Sequence, residues 1–235
     1  MRLFIIGDTH LSNDPRIGKP MDIFGAAWND HQERLQQDWD ACVSEEDTVI
    51  VAGDISWGMR LDEAMADLNW LHERPGTKVL IKGNHDLWWT GITKLNQLFP
   101  DMRFLQNSCY DCGDGTYICG SRGWICPGAE GFEAADEVVY NRESLRLRAS
   151  LEAAAARQAE TIIGVLHYPP TNDKFQPSAF TSLFEEFGVR RVYYGHLHGR
   201  EAYRKGIRGN LNGVTYDLVS LDYLSCRLKE ITVTD

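Results

Sequence analysis

Five short apolar runs punctuate the chain, and each leads into a polar residue of metal-binding type. Leu3–Ile6 precedes Asp8 and His10, and Thr48–Ala52 precedes Asp54. Val79–Ile81 precedes Asn84 and His85, Thr161–Leu166 precedes His167, and Val192–Tyr194 precedes His196 and His198. Short runs of this kind, rich in β-branched residues and bounded by turn residues, predict strands. They are apolar on both faces, so helices must cover them.

The intervening segments supply those helices. Asn29 with Gln32 predicts a helix start with a capping box, running to about Cys42 with Leu35 and Trp39 on one side. Leu61, Met65, Leu68 and Leu71 follow helical spacing up to Pro75-Gly76. A shorter helix holds Leu95, Leu98 and Phe99 before Pro100, and the longest is predicted from about Asp136 to Ala159. Phe180, Leu183, Phe184 and Phe187 mark one more, stopped at Gly188. Thr116–Gly120 reads as a further strand. Beyond His198 the pattern turns β-like, with Asn212-Gly213 a hairpin turn between Arg208–Leu211 and Val214–Val219. The predicted architecture is α/β: a four-layer α-β-β-α sandwich of two mixed sheets packed together with helices outside, in one domain over residues 1–235.

In open α/β sheets, ligands bind beyond the carboxyl ends of the strands. The residues gathered there offer oxygen and imidazole nitrogen without thiolate, a donor set suited to a pair of divalent cations of the Mn, Fe or Zn kind. Composition adjusts this picture only slightly. A net charge of −10, from 24 basic and 34 acidic residues, argues against broad binding to nucleic acid or anionic membranes. It does not exclude an anionic substrate, since bound metals would dominate the local field. No targeting segment or membrane span is expected, and the chain reads as cytoplasmic. The six cysteines read as reduced thiols. Cys109, Cys112, Cys119 and Cys126 match a structural zinc site only faintly.

Singly, each motif has an ordinary structural explanation. Asp8-Thr9-His10 places two ligands at i and i+2, which share a face if the backbone is extended. Asp54 is costly at the end of a buried strand without cationic partners, but it also reads as an ordinary helix cap. In Gly83-Asn84-His85-Asp86 the amide offers a neutral oxygen, His85 a proton donor, and Asp86 either a support for His85 or the start of a helix. His167 precedes Tyr168-Pro169-Pro170, which holds the strand exit extended. Gly195-His196-Leu197-His198 repeats the i, i+2 arrangement.

Jointly the motifs resemble those of the calcineurin-like metallophosphoesterases: D-x-H, G-D, G-N-H-[ED], H and G-H-x-H, in that order over residues 8–198. The second motif continues as Ile55-Ser56-Trp57-Gly58-Met59 rather than the x-V-D-R-G of Ser/Thr protein phosphatases, and the chain looks more like small bacterial phosphohydrolases. The resemblance implies that Asp8, His10 and His198 hold one metal and Asn84, His167 and His196 the other, with Asp54 bridging. His85 would act on the leaving group rather than bind metal. It implies a hydrolase with two divalent ions, Mn2+ favoured over Fe, Zn or a mixed pair. A metal-bridging hydroxide would attack a phosphodiester, nucleotide or phosphomonoester in line. Arg122, just past a strand, is a candidate phosphate clamp, with an ordinary ion-paired arginine as the alternative. A nuclease of the same fold and a non-catalytic interaction scaffold are the competing readings.

Overall fold

The computed structural model describes residues 1–232. In chain order its elements are β1 (Leu3–Ile6), α1 (His31–Cys42), β2 (Thr48–Ala52), α2 (Leu61–His72), β3 (Thr77–Ile81), α3 (Ile92–Leu95) and β4 (Met102–Leu105). They continue as β5 (Cys109–Asp111), β6 (Thr116–Ser121), α4 (Ala134–Ala155), β7 (Thr161–Leu166), α5 (Ala179–Glu186), β8 (Arg191–Tyr194), α6 (Gly199–Tyr203), β9 (Gly209–Leu211), β10 (Val214–Leu218) and β11 (Lys229–Ile231). Two compact units result, one comprising Met1–Phe104 with the segment from Val219 onward, the other Leu105–Leu218. Each is built on one mixed sheet, so the chain has the α/β, two-sheet composition that the sequence predicts.

The first sheet has the order β11-β1-β2-β3-β4. Strands β1, β2 and β3 are parallel and β11 runs antiparallel to β1. Phe4, Ile6, Val49, Val51 and Leu80 lie on one face by strand alternation and share a core with Leu35 and Trp39 of α1 and Leu68 and Leu71 of α2. Residues of the opposite face, such as Ile5, Ile50 and Ile81, are equally buried, which explains why these strands are apolar without alternation.

The second sheet has the order β5-β6-β7-β8-β10-β9. Here β6, β7, β8 and β10 are parallel, with antiparallel edges at β5 and β9. Helix α4 packs on β6, and the Ser150 hydroxyl joins them by accepting from Gly120 N at 3.0 Å and donating to Ser108 O at 2.6 Å. The hairpin turn forms as predicted, with Asn212 and Gly213 both in the left-handed region (φ 52° and 87°).

Several expectations are corrected. Helix α1 has no capping box: Asp30 caps it with a left-handed backbone and no side-chain bond, because the chain enters from a 3-10 turn at Ala26–Trp28. Helix α3 ends at Leu95; Leu98 follows in a turn and Phe99 in irregular chain. A short helix, α6, precedes the β-like segment. Strands β4, β5 and β11 lacked a readable pattern. The last two are three-residue edge strands with partly exposed side chains, so little apolar periodicity is required of them.

One buried polar anchor carries a pH-dependent consequence. Asp47 accepts from Ser44 N–H and its hydroxyl and from the Arg2 N–H and guanidinium, at 2.7–2.9 Å. Burial opposes ionisation of this carboxylate, but these bonds prevail and hold its pKa well below the usual range. A depressed carboxylate pKa adds stability above the unfolded value, about 3.9 for Asp, and that stability is lost as pH falls toward the folded value. Asp47→Asn is therefore expected to lower stability at pH 7 and to flatten the decline below about pH 4. Urea unfolding at a series of pH values measures both; equal slopes in the two proteins would contradict the assignment.

Candidate metal centre

In the first unit, the loops that leave β1 and β2 run side by side. Asp8 N donates to Gly53 O, His10 N to Asp54 O and Leu11 N to Ile55 O, each at 2.9 Å, and Trp57 N returns a bond to Leu11 O at 3.0 Å. This ladder holds Asp8, His10 and Asp54 at φ of 60°, 44° and 50°. Left-handed backbone is uncommon outside glycine and persists where the surroundings impose it, often at functional sites. Asp8 and His10 thus leave an alternating strand geometry, contrary to the extended D-x-H predicted above. The hydrogen bonds to the neighbouring loop, not the pleat, set their directions.

The loop after β3 closes against Asp54. His85 N donates to Asp54 Oδ1 at 2.8 Å. A Cβ on Gly83 would lie 2.1 Å from both Asp54 N and Asp54 Oδ1, so the glycine before Asn84 is demanded by close backbone approach. Asp86, fully buried, ties the loops together. Its Oδ1 accepts from Ile55 N at 2.9 Å, Ser56 N at 3.2 Å and Trp88 Nε1 at 3.1 Å, and its Oδ2 accepts from Gly83 N at 2.7 Å. Burial, and next the Asp54 carboxylate, push its pKa up, and the N–H donors oppose them. Asp86 begins no helix: a turn follows it. Below this loop Ser56 hydrogen-bonds Asp67, which also accepts from Asn13 N at 2.7 Å.

The imidazoles of this unit sit among tryptophans. Trp57 stacks on His10 with centroids 4.6 Å apart and lies 4.3 Å from His85, and Trp28 meets His10 edge-on at 5.7 Å. His10 Nε2 lies 3.8 Å from Asp54 Oδ2. Asp8, Asp54 and His10 are 0%, 1% and 2% exposed. Buried carboxylates in this number call for compensating positive charge, and with adjacent imidazoles and no thiolate they suit a divalent cation. Asn84 is carried on the same loop, between Gly83 and His85. His31 opens α1 and His72 ends α2, where its Nδ1 lies 2.6 Å from Asp101 Oδ1.

In the second unit, His167 and His196 follow β7 and β8. Gly195 N donates to His167 O at 3.1 Å, and the two rings are 5.1 Å apart, edge to face. Tyr168 stacks on His196 at 4.0 Å and packs against Trp124 at 4.9 Å. His196 is left-handed at φ 72°, whereas His198 is extended and caps α6. Arg122 is largely buried and bound to Glu143 at 3.3 Å, with its guanidinium 4.4 Å over Trp124. Glu143, 1% exposed, also meets Arg146 at 2.7 Å and Arg142 at 3.6 Å. Burial lowers the Arg122 pKa, and Glu143 opposes the shift.

The structure adds residues that the motifs did not single out. Trp57 and Tyr168 directly follow motif segments, so adjacency was the available signal; Trp28 had none. The only gathered metal-ligating groups among the described residues contain no cysteine. Burial raises the thiol pKa of Cys112, Cys119 and Cys126 to about 12.

The profile of the calcineurin-like phosphoesterase family matches residues 1–200. The chain belongs to that family. Its α/β fold with two mixed sheets is consistent with the calcineurin-like sandwich. The Gene 66 protein of Mycobacterium phage L5 is 46% identical over 57 residues, 24% of this chain and 27% of that protein; the chain thus spans about a quarter of this relative's length. Two solved structures share the fold alone. The protein TT1561 of Thermus thermophilus has a TM-score of 0.59 at 12% identity, covering 99% of both chains. AQ665 of Aquifex aeolicus, a protein of unknown function, has a TM-score of 0.52 at 14% identity, covering 97% of this chain and 95% of its own. Among the described residues no helix is long and apolar enough to cross a membrane.

The Gly83 contact gives a direct test of the loop geometry. Gly83→Ala forces backbone rather than a flexible side chain to move. It is expected to destabilise the protein by about 1–3 kcal/mol, the usual range for overpacking, measured as a shift in urea midpoint. A wild-type midpoint would contradict the close approach.

Proposed function

We propose that the chain, acting as one domain over residues 1–235, is a phosphoesterase dependent on two divalent cations, Mn2+ being the favoured pair. The observation that carries this reading is the buried Asp8–His10–Asp54 arrangement on left-handed backbone, in a chain of this family. The proposed ligand groups are Asp8, His10 and His198 for one ion and Asp54, His167 and His196 for the other, with Asn84 joining the second and Asp54 shared. Bound there, the two cations supply Lewis acidity, making water nucleophilic at neutral pH and neutralising charge on the phosphoryl oxygens.

The chain's own residues do the rest. Asp54 is aligned by the His85 N–H and by the backbone it shares with the D-x-H loop. His85, packed on Trp57, donates a proton to the departing alkoxide oxygen after in-line attack on phosphorus. Arg122 orients a phosphate only if it leaves Glu143, so the proposed clamp is secondary to its ion pair. Substrates on this reading are small phosphate esters: phosphodiesters, nucleotides or phosphomonoesters. The acidic chain disfavours nucleic acid, and the proposed location is the cytoplasm.

The experiment is hydrolysis of phosphate esters graded in leaving-group basicity, with and without Mn2+. Wild type is expected to turn over esters only when metal is supplied; no turnover across mono- and diesters would favour a scaffold. His85→Ala should lose roughly 10²–10⁴-fold on alkyl esters, the range for a positioned general acid, and much less on nitrophenyl esters. A uniform loss across the series would assign His85 to phosphoryl binding instead.

A further inference from the structure

The second unit contains a cavity of about 160 Å³ with His196 in its wall. Much of its wall is apolar, formed by Ile125, Cys126, Ala129, Pro169 and Leu197. Thr171 and Asp173 line it as well. Thr171 is 4% exposed, and neither its hydroxyl nor Asp173 Oδ1 has a hydrogen-bond partner among the described residues, although both atoms are buried. A buried polar atom without a partner is costly, so two together beside a cavity mark a place where a ligand supplies the missing bonds. Asn172 between them is satisfied: its Nδ2 donates to Pro127 O at 3.0 Å and Gln176 Oε1 at 2.7 Å, and its Oδ1 accepts from Lys174 N and Gln176 N. It fixes the loop and leaves its neighbours as the ones that lack partners.

Size and chemistry restrict the occupant. A site for a whole drug-sized ligand measures about 300–1,000 Å³, so this cavity takes one part of a substrate. A sugar would bring more hydroxyls than the two unpartnered groups can pair, and the rest would face apolar wall. A ring with an apolar body suits the walls, and N–H groups on one edge would meet the Asp173 carboxylate and the Thr171 hydroxyl, both able to accept. Lys205, paired with Glu130 at 3.0 Å and exposed, stands among the lining residues.

We propose that this cavity binds an N–H-donating heteroaromatic ring of nucleobase type, making nucleotides or nucleoside phosphate esters the substrate class. The proposal rests on the reading of His196 as a metal ligand, which sets the ring's phosphate beside the cations. Guanine, whose edge presents adjacent ring and exocyclic N–H groups, is the preferred base; a base without an exocyclic amino group leaves one acceptor unpaired.

The test separates ring binding from catalysis. Guanosine, which has no phosphate, is titrated calorimetrically into metal-free protein, with inosine as the analogue lacking the amino group. Guanosine is expected to bind, and inosine roughly tenfold more weakly, as for loss of one hydrogen bond to a buried acceptor. Thr171→Val, which keeps the shape and removes the hydroxyl, should weaken guanosine roughly tenfold. Ala129→Leu, which fills the cavity from its partly exposed wall, should abolish binding even if Thr171→Val fails to fold. No guanosine binding by wild type at millimolar concentration overturns the proposal, as does binding that survives Ala129→Leu in folded protein. If guanosine binds as expected but no ester is hydrolysed with Mn2+, the phosphoesterase reading fails while the ring site stands.

Discussion

The Asp86 carboxylate is the contact on which the first unit's candidate ligands depend. It is buried, carries four N–H bonds, and joins the backbone after β2 to the loop after β3. Those bonds fix Ile55 and Ser56 on one side and Gly83 on the other. Asp54 lies immediately before the first pair, and Asn84 and His85 immediately after the glycine. A hydrogen-bonded carboxylate here costs burial of a charge, which the four donors offset only in part, and it removes the freedom of two ligand-bearing segments at once. The left-handed residues Asp8, His10 and Asp54 persist because the loops on both sides are held.

Function follows from that rigidity through charge. Two carboxylates and an imidazole at 0–2% exposure form a poor folding motif by themselves, and their burial makes sense as preorganisation for cations. The tryptophans complete the arrangement. Trp57 packs against both His10 and His85, so the proposed metal ligand and the proposed proton donor share one wall. In the second unit Tyr168 does the same for His196, while its neighbours Pro169 and Thr171 line the cavity proposed for the substrate ring.

The sequence made the five strands and their polar exits legible because buried parallel strands must be continuously apolar, and a polar residue at their ends stands out. It also made the order of motifs legible, and with it the family. It could not show how the D-x-H segment is held, since left-handed backbone at Asp8 and His10 comes from hydrogen bonds to a loop more than forty residues away. The reason for Gly83 was equally hidden, because the atom it avoids belongs to Asp54. Edge strands β5 and β11 were invisible for a different reason: partial exposure removes the periodicity that marks a strand. Arg122 could be read as a clamp or as an ion-paired residue, and only the buried Glu143, on the long helix α4, indicates what it is bound to.

The central claim is that the motif residues hold two cations at once. Equilibrium dialysis of metal-free protein against excess Mn2+, with metal quantified per chain, tests it most directly. The account predicts two tightly held ions per chain. One ion, or none, at saturating Mn2+ would contradict it.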